Sequence, residues 1–298
     1  MRAKLPGVVR EIFPYKSRFI RLTSGARLHY IDEGENNLTL FLHDIPFWSF
    51  YFRRLVDNLR NHFRCLAPDY IGFGLSDKPP NADYSLHSMT NDAIELLTQL
   101  KVGKFNLVLH GWGAVPGMVI ATRWPERTNR IVILNGSCFP ENGGPFAPNP
   151  FLGGFFGTWL VNCMNTPIRR AALSTGCDAP SYAGYLFPYR SWSSRMPTRI
   201  FFENLPNYGE GGSEEQWLRA IAEKIFILSH KKIAMFWGTR DKVFSEDVLE
   251  KWKKEFEEMK VTEFHGGGHH TLEEEFDTVS GPIRHLLAGG IEAKIPTL

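Results

Sequence analysis

The first feature with chemical meaning is a glycine-rich turn after a strongly apolar run. Residues 105–110 read FNLVLH, which is typical of a strand buried on both faces, and residues 110–114 (HGWGA) lead into a helical pattern. Such a strand–turn–helix presents a nucleophile beside the free N–H groups of a helix N-terminus, which stabilise negative charge on a reacting oxygen. The central residue is Gly111, which has no side chain, so the turn itself offers no nucleophile.

The elements that must position this turn follow a strand–helix alternation, broken once. We therefore predict an α/β fold with a mostly parallel, eight-stranded sheet and helices on both faces, the first two strands forming a hairpin. The predicted strands are Arg18–Thr23, Arg27–Asp32, Leu38–His43, Phe63–Ala67, Phe105–His110, Arg130–Asn135, Ile233–Trp237 and Val261–Phe264. The predicted helices are Phe50–Leu59, Leu86–Leu100, Ala114–Arg123, Glu246–Met259 and Leu272–Leu287.

The alternation stops after Asn135. Residues 138–154 are rich in Pro, Gly and Asn, and the pattern from there to about Ser229 is helical, irregular and aromatic. We predict a helical lid at residues 138–229, inserted into an α/β core made of residues 1–137 and 230–298.

Composition narrows the functional classes. The chain has 298 residues, 43% of them hydrophobic, and a net charge of +2, which gives no case for binding nucleic acid or a membrane surface. The N-terminus lacks the apolar segment of a signal peptide, and no run of eighteen apolar residues occurs, so we expect a cytoplasmic protein. Four scattered cysteines predict neither a disulfide framework nor a zinc site, and we expect no metal and no cofactor. The oligomeric state stays open.

At this point the sequence resembles a known family, the haloalkane dehalogenases and related epoxide hydrolases of the α/β-hydrolase superfamily. The resemblance covers nearly the whole chain and is weakest in the lid. It lies in ordered motifs at residues 42–46 (LHDIP), 67–79 (APDYIGFGLSDKP), 110–113 (HGWG), 130–135 (RIVILN), 238–242 (GTRDK) and 267–274 (GGHHTLEE).

The resemblance implies roles for residues in three of these loops. It implies that Asp241 is the acid and His270 the base, with His269 the neighbouring candidate, and that the backbone N–H groups of Ile45 and Trp112 form an oxyanion hole. An imidazole oriented by a carboxylate takes up a proton near neutral pH. Trp112 also matches a halide-holding tryptophan of the family, although an aromatic packed against the lid explains it equally well.

Four departures argue against dehalogenation. The nucleophilic Asp of the family is Gly111 here, and its halide-holding Asn or Glu is Ile45. The glycine of that loop is Asp44, and no tryptophan stands near residues 169–174 as a second halide donor. With no nucleophile at position 111, we expect no covalent alkyl-enzyme. Asp44 is either an ordinary loop carboxylate or a partly desolvated group near His270, above the space left at Gly111, where it serves as a second acid/base or pairs with an imidazolium.

The sequence leaves three functions open. The preferred one is a non-covalent acid/base enzyme (a lyase, cyclase, decarboxylase or direct hydratase or hydrolase) that acts on a small apolar substrate through a His270–Asp241 dyad, with Asp44 assisting. The second is a catalytically inactive, ligand-binding pseudoenzyme or receptor. The third is a working dehalogenase with an inactivating substitution introduced at position 111; the further changes at Asp44 and Ile45 favour natural divergence instead.

Overall fold

A single mixed β-sheet organises the molecule. The computed structural model describes residues 5–140, 157, 159–209 and 211–289. The strands are β1 (Arg18–Arg21), β2 (Arg27–Glu33), β3 (Leu38–Leu42), β4 (Arg64–Pro68), β5 (Phe105–Gly111), β6 (Thr128–Gly136), β7 (Lys232–Gly238) and β8 (Lys260–Phe264). Their order across the sheet is β1-β2-β4-β3-β5-β6-β7-β8. The pairs β1–β2 and β2–β4 are antiparallel, and all the others are parallel.

The central strands are apolar throughout because both of their faces are covered. Every residue of β3 and β5 is buried. Successive side chains of a strand point to opposite faces, so Leu107 joins the hydrophobic core on one side of the sheet and Val108 the core on the other. The predicted α/β class with a mostly parallel eight-stranded sheet is confirmed, as is the hairpin of β1 and β2.

Helices flank the sheet and occupy the insertion. Those outside the insertion are α1 (Gly7–Ile12), α2 (Arg53–Leu59), α3 (Leu86–Gln99), α4 (Ala114–Arg123), α9 (Glu246–Glu255), α10 (Thr271–Glu274) and α11 (Phe276–Ala288). Between β6 and β7 lie a π-helix (Trp159–Cys163), α5 (Thr166–Ser174), α6 (Ala179–Leu186), α7 (Trp192–Asn204), α8 (Glu215–Ala222) and three 3₁₀ turns (Phe187–Tyr189, Leu205–Tyr208 and Ile225–Leu228). A further 3₁₀ turn, Ser49–Phe52, precedes α2.

Every described element of the insertion is helical, as the sequence predicts, whereas its exact bounds at 138–229 stay a prediction and residues 141–156 lie outside the described ones. The sequence missed α1, and it predicted one helix over Leu272–Leu287 where the structure has the short α10 followed by α11. Among the helices that are described, none is both long and apolar enough to cross a bilayer.

The loops that hold the chemistry all leave the same edge of the sheet. Asp44 follows β3, Gly111 ends β5, Asn135 is the second-last residue of β6, Asp241 follows β7, and His269 follows β8. Because these five strands are parallel, their carboxyl ends meet at one edge, which is where open α/β sheets bind ligands.

Candidate active site

The glycine-rich turn has the predicted geometry. β5 ends at Gly111, whose φ of +56° lies in the left-handed region, and α4 begins three residues later at Ala114. Gly113 makes the tight crossing possible, because a Cβ there would lie 2.2 Å from the carbonyl oxygen of Leu42. The backbone therefore forms a strand–turn–helix that carries no side chain at its centre.

The carboxyl group of Asp44 lies against this turn. Its Oδ1 accepts a hydrogen bond of 2.8 Å from the backbone N–H of Trp112 at the entrance to α4. Its Oδ2 lies 3.1 Å from Nε2 of His269. His43 Nδ1 lies 2.8 Å from the backbone carbonyl oxygen of Asp44 and so holds the loop. Asp44 is a buried, fully oriented carboxylate rather than an exposed loop residue.

Asp241 orients the other side of the same imidazole. His269 Nδ1 lies 2.8 Å from Asp241 Oδ2, and the same oxygen accepts a 2.9 Å hydrogen bond from Asn135 Nδ2. Asp241 Oδ1 accepts the backbone N–H groups of Val243 at 2.6 Å and Phe244 at 3.2 Å. The result is a continuous chain, Asp44–His269–Asp241, in which each end carboxylate is also fixed by backbone N–H groups.

The predicted His270–Asp241 pairing is wrong as geometry, since the imidazole that meets Asp241 and Asp44 belongs to the preceding residue, His269. The two adjacent side chains leave this loop in different directions, and only that of His269 faces the acid. His270 turns toward the insertion, where its Nε2 lies 3.0 Å from Ser174 Oγ. Its ring packs 4.9 Å from that of Phe47.

Charge is distributed unevenly over the three neighbouring imidazoles. Burial opposes protonation of His269, but Asp241 and then Asp44 outweigh it and raise its pKa to about 10. Burial acts to raise the pKa of Asp44, yet the hydrogen bond and charge of His269 bring it below its ordinary value. Burial, and next the charge of His269, lower the pKa of both His110 and His270 far below the usual range for histidine. At neutral pH the centre therefore holds an imidazolium and an ionised Asp44 beside two neutral imidazoles.

The three imidazoles also bear on metal binding. One ligand atom each of His110, His269 and His270 lies within 4.8 Å of the others. However, both nitrogens of His269 are engaged by carboxylates, and Nε2 of His110 lies 3.0 Å from the carbonyl oxygen of His269. Metal binding requires neutral imidazole, so the protonated His269 suits the hydrogen-bonded arrangement better than ligation.

A cavity of about 620 Å³ opens above these groups. Asp44 and His269 contribute its reactive polar groups, and much of the rest is apolar, including Ile45, Trp112 and Phe202. Arg170, Arg240 and Lys242 also line it. The predicted substrate-binding residues Ile45 and Trp112 thus face the cavity, whereas Gly111 is not part of the lining. An apolar substrate with one polar reacting group fits such a space.

Asn135 is the positioning residue that sequence reasoning missed. Its amide nitrogen donates to Asp241 as described, and its Oδ1 accepts hydrogen bonds of 2.9 Å each from the backbone N–H of Gly238 and the hydroxyl of Thr271. It therefore ties the loops after β7 and β8 together. The only sequence signal was a polar residue at the end of an otherwise apolar strand, RIVILN.

Comparison with known proteins adds to this geometry. A family profile described as the α/β hydrolase fold matches residues 40–276. The chain is 34% identical to a cis-3-alkyl-4-alkyloxetan-2-one decarboxylase of Shewanella oneidensis, over 93% of this chain and 89% of that one. It is 28% identical to a decarboxylase of the same name from Xanthomonas campestris pv. campestris, over 92% and 97% of the two chains. The crystal structure of haloalkane dehalogenase DbeA from Bradyrhizobium elkani superposes with a TM-score of 0.80 at 22% identity, covering 92% of this chain and 98% of that one.

Proposed function

The chain belongs to the α/β-hydrolase fold family, in the branch of haloalkane dehalogenases and oxetanone decarboxylases, and from this premise we propose that it decarboxylates cis-3,4-dialkyl-oxetan-2-ones. In this reaction the four-membered lactone loses its ring C4–O bond and its C2–C3 bond, and gives an alkene and carbon dioxide. No water and no redox equivalent enters. The observation that carries the proposal is the buried Asp44–His269–Asp241 chain beneath an apolar cavity, in a protein similar over more than nine-tenths of its length to two such decarboxylases.

The charge state of His269 supports a lyase over a hydrolase. Hydrolysis needs a neutral imidazole that takes a proton from water. The two carboxylates beside His269 raise its pKa to about 10, so the ring already carries its second proton at neutral pH. Decarboxylation of the lactone requires no proton transfer, and an imidazolium that holds a carboxylate in place is compatible with it.

The cavity supports an apolar substrate on which negative charge develops. Its apolar lining is suited to two alkyl chains. As the ring C–O bond breaks, the lactone carbonyl becomes a carboxylate, and the basic side chains of Arg170, Arg240 and Lys242 stand along the same cavity. Cationic groups placed where charge develops stabilise a transition state more than they stabilise the neutral lactone.

The test is direct turnover with a matched pair of variants. Purified protein is incubated with cis-3,4-dialkyl-oxetan-2-ones of several chain lengths, and the cis-alkene is measured by gas chromatography. We expect His269→Asn to lower kcat/KM by at least ~100-fold and His270→Asn to lower it by less than ~10-fold, since only the first ring meets both carboxylates. If the lactones bind but no alkene forms at any chain length, the enzyme proposal fails and a ligand-binding protein becomes the better account.

A further inference from the structure

The side chain of Asp44 occupies the volume that a side chain at position 111 would take. A Cβ added to Gly111 would lie 2.2 Å from both Cγ and Oδ1 of Asp44 and 2.6 Å from its Cβ. These separations are far below van der Waals contact, so the two positions cannot both carry a side chain there. The absence of a side chain at Gly111 therefore leaves the space that the carboxyl group of Asp44 occupies.

The carboxyl group of Asp44 also makes the contacts expected of a side chain at the centre of the strand–turn–helix. One oxygen accepts the N–H of Trp112, the residue directly after the turn's centre, at the entrance to the ten-residue helix α4. The other oxygen faces an imidazole that is held by an acid. A carboxylate that arrives from the loop after β3 thus stands where a nucleophile on the turn would stand, and it borders the cavity.

We propose that Asp44 is the nucleophile of this protein, with its carboxylate placed at the turn from the neighbouring loop instead of from position 111. The identity of the electrophile rests on the proposed function. Because His269 stays protonated between its two carboxylates, Asp44 remains ionised and nucleophilic, and one of its oxygens is fixed by Trp112. A covalent intermediate, which Gly111 cannot form, is thus available through Asp44.

The step balances without an added reagent. An oxygen of Asp44 attacks C4 of the lactone and forms an ester bond as the C4–O bond of the ring breaks, which leaves a free carboxylate on C3. The C3–carboxyl bond then breaks, and its electron pair forms the C3=C4 double bond. The bond from C4 to Asp44 breaks in the same event, so carbon dioxide and the alkene leave and Asp44 is regenerated.

The order of these two steps determines the stereochemistry of the alkene. Direct attack at C4 inverts that carbon, and the following elimination expels the carboxyl group and the Asp44 ester in an anti arrangement. Inversion followed by anti elimination equals a net syn loss, so a cis-lactone gives a cis-alkene. The alkyl groups keep the relation that they had in the ring.

A simple alkylating agent tests the nucleophile apart from the lactone. We choose 1-iodohexane, because iodide is a good leaving group and needs little help from halide-binding residues. We expect a mass increase of one hexyl group in tryptic peptide 28–53, which contains Asp44 and no cysteine, and one equivalent of iodide per chain beyond what Asp44→Asn releases. The reaction is quenched in acid and digested as soon as iodide release levels off, so that the ester is still in place. Asp44→Asn should show no labelling of that peptide.

A swap of the two positions keeps the test decisive if a single variant folds poorly. The double variant Asp44→Gly/Gly111→Asp removes the carboxylate from the loop and places one on the turn. We expect the hexyl group to move to tryptic peptide 105–123, whereas Asp44→Gly alone should carry it on neither peptide. Gly111→Asp alone brings two carboxyl groups into the same volume and should be labelled more slowly than the wild type.

The outcomes separate this inference from the proposed function. Labelling of peptide 28–53 without any lactone turnover supports Asp44 as the nucleophile and contradicts the proposed decarboxylase activity. Lactone turnover that survives unchanged in Asp44→Asn keeps the decarboxylase and overturns the nucleophile. The absence of any hexyl adduct on wild-type peptide 28–53 also overturns it.

Discussion

At the scale of single residues, the proton on His269 determines what the centre can do. The ring lies between two buried carboxylates, 2.8 Å from Asp241 and 3.1 Å from Asp44, and removing its proton would leave both negative charges in a poorly solvated space. Burial alone would favour the neutral ring, so the two carboxylates must outweigh it. A charged His269 keeps Asp44 ionised, and a ring that already carries this proton cannot take another from a water molecule.

This charge state predicts how stability depends on pH. The pKa of His269 is about 10 in the folded protein and about 6.5 in an unfolded chain, so its protonation stabilises the fold fully below pH ~6.5, and the contribution is lost as the pH rises through ~10. Thermal melting of the wild type and of His269→Gln should therefore differ by several degrees near pH 6.5. The difference should shrink steadily toward pH 10.5. Groups distant from His269 titrate alike in both proteins and cancel in the comparison.

A melting difference that stays constant from pH 6.5 to 10.5 would contradict this charge assignment. The matched control is His270→Gln, because burial and the charge of His269 hold the pKa of that ring far below the usual range. A neutral His270 changes no charge over this interval. Its melting difference from the wild type should therefore be independent of pH.

The sequence identified most of these residues but not how they pair. Asp44, Asp241 and a pair of histidines were all placed in loops at the carboxyl ends of strands, and the structure brings three of them together. Which of two adjacent histidines faces the acid depends on the backbone dihedrals of the loop after β8, and no residue pattern encodes these locally. That Asp44 enters the space at Gly111 depends on two loops from different strands, so no single motif could show it.

At the scale of elements, the loop after β3 and the turn after β5 act as one unit. Their strands are adjacent and parallel, with Leu42 paired to Leu109, so the residues that follow each strand come close together. Strands β3 to β7 could be predicted because their apolar runs are mostly buried and unambiguous in this chain. The fit of Asp44 against Gly111 depends on both loops together, so the apolar sequence of neither strand predicts it.

This unit predicts a strong coupling between positions 44 and 111. Gly111→Ala should destabilise the protein by about 2–5 kcal/mol, since it adds a left-handed backbone cost of ~1–2 kcal/mol and an overpacking cost of ~1–3 kcal/mol. The control is Gly25→Ala, because Gly25 has a φ of +86° and nothing lies within 4 Å of an added Cβ, so it shows the backbone cost alone. Free energies of unfolding from urea titrations measure both.

A double-mutant cycle isolates the coupling. Asp44→Gly removes the group that the new methyl would strike, so in that background Gly111→Ala should cost only about as much as Gly25→Ala, ~1–2 kcal/mol. Equal costs of Gly111→Ala with and without Asp44 would show that the two positions do not compete for one volume.

At the scale of the whole molecule, a buried ion pair of the core anchors the insertion beside the candidate active site through hydrogen bonds. Arg53 in α2 contacts Glu273 in α10 at 2.5 Å, and both side chains are almost fully buried. From α6 of the insertion, Ser181 Oγ accepts a 2.8 Å hydrogen bond from Arg53, and the hydroxyl of Tyr185 donates to Glu273. Glu273 stands three residues beyond His270, so the same pair also fixes the end of the histidine loop.

The position of this pair predicts that its loss damages both stability and turnover. Glu273→Gln keeps the shape of the side chain but leaves the Arg53 charge buried without its partner, and such losses cost about 3–5 kcal/mol. The matched control is Glu258→Gln, because Glu258 pairs with Lys232 at 3.7 Å with both side chains largely exposed, and such pairs contribute ~1 kcal/mol or less. Urea unfolding measures both variants. We also expect Glu273→Gln to raise KM for the lactone, because the insertion that lines the cavity loses its anchor, whereas Glu258→Gln should leave KM unchanged.

The double variant Arg53→Met/Glu273→Leu distinguishes the cost of an unpaired buried charge from the cost of lost packing. If the cost of Glu273→Gln comes from the uncompensated Arg53, removing both charges should recover most of the stability, since apolar pairs of similar volume replace buried ion pairs at little cost. The hydroxyl of Tyr185 loses its acceptor in that variant, so recovery should stop ~1–3 kcal/mol short of the wild type. A double variant as unstable as Glu273→Gln would instead mean that the shape of the contact, and not its charge, holds the insertion over the cavity.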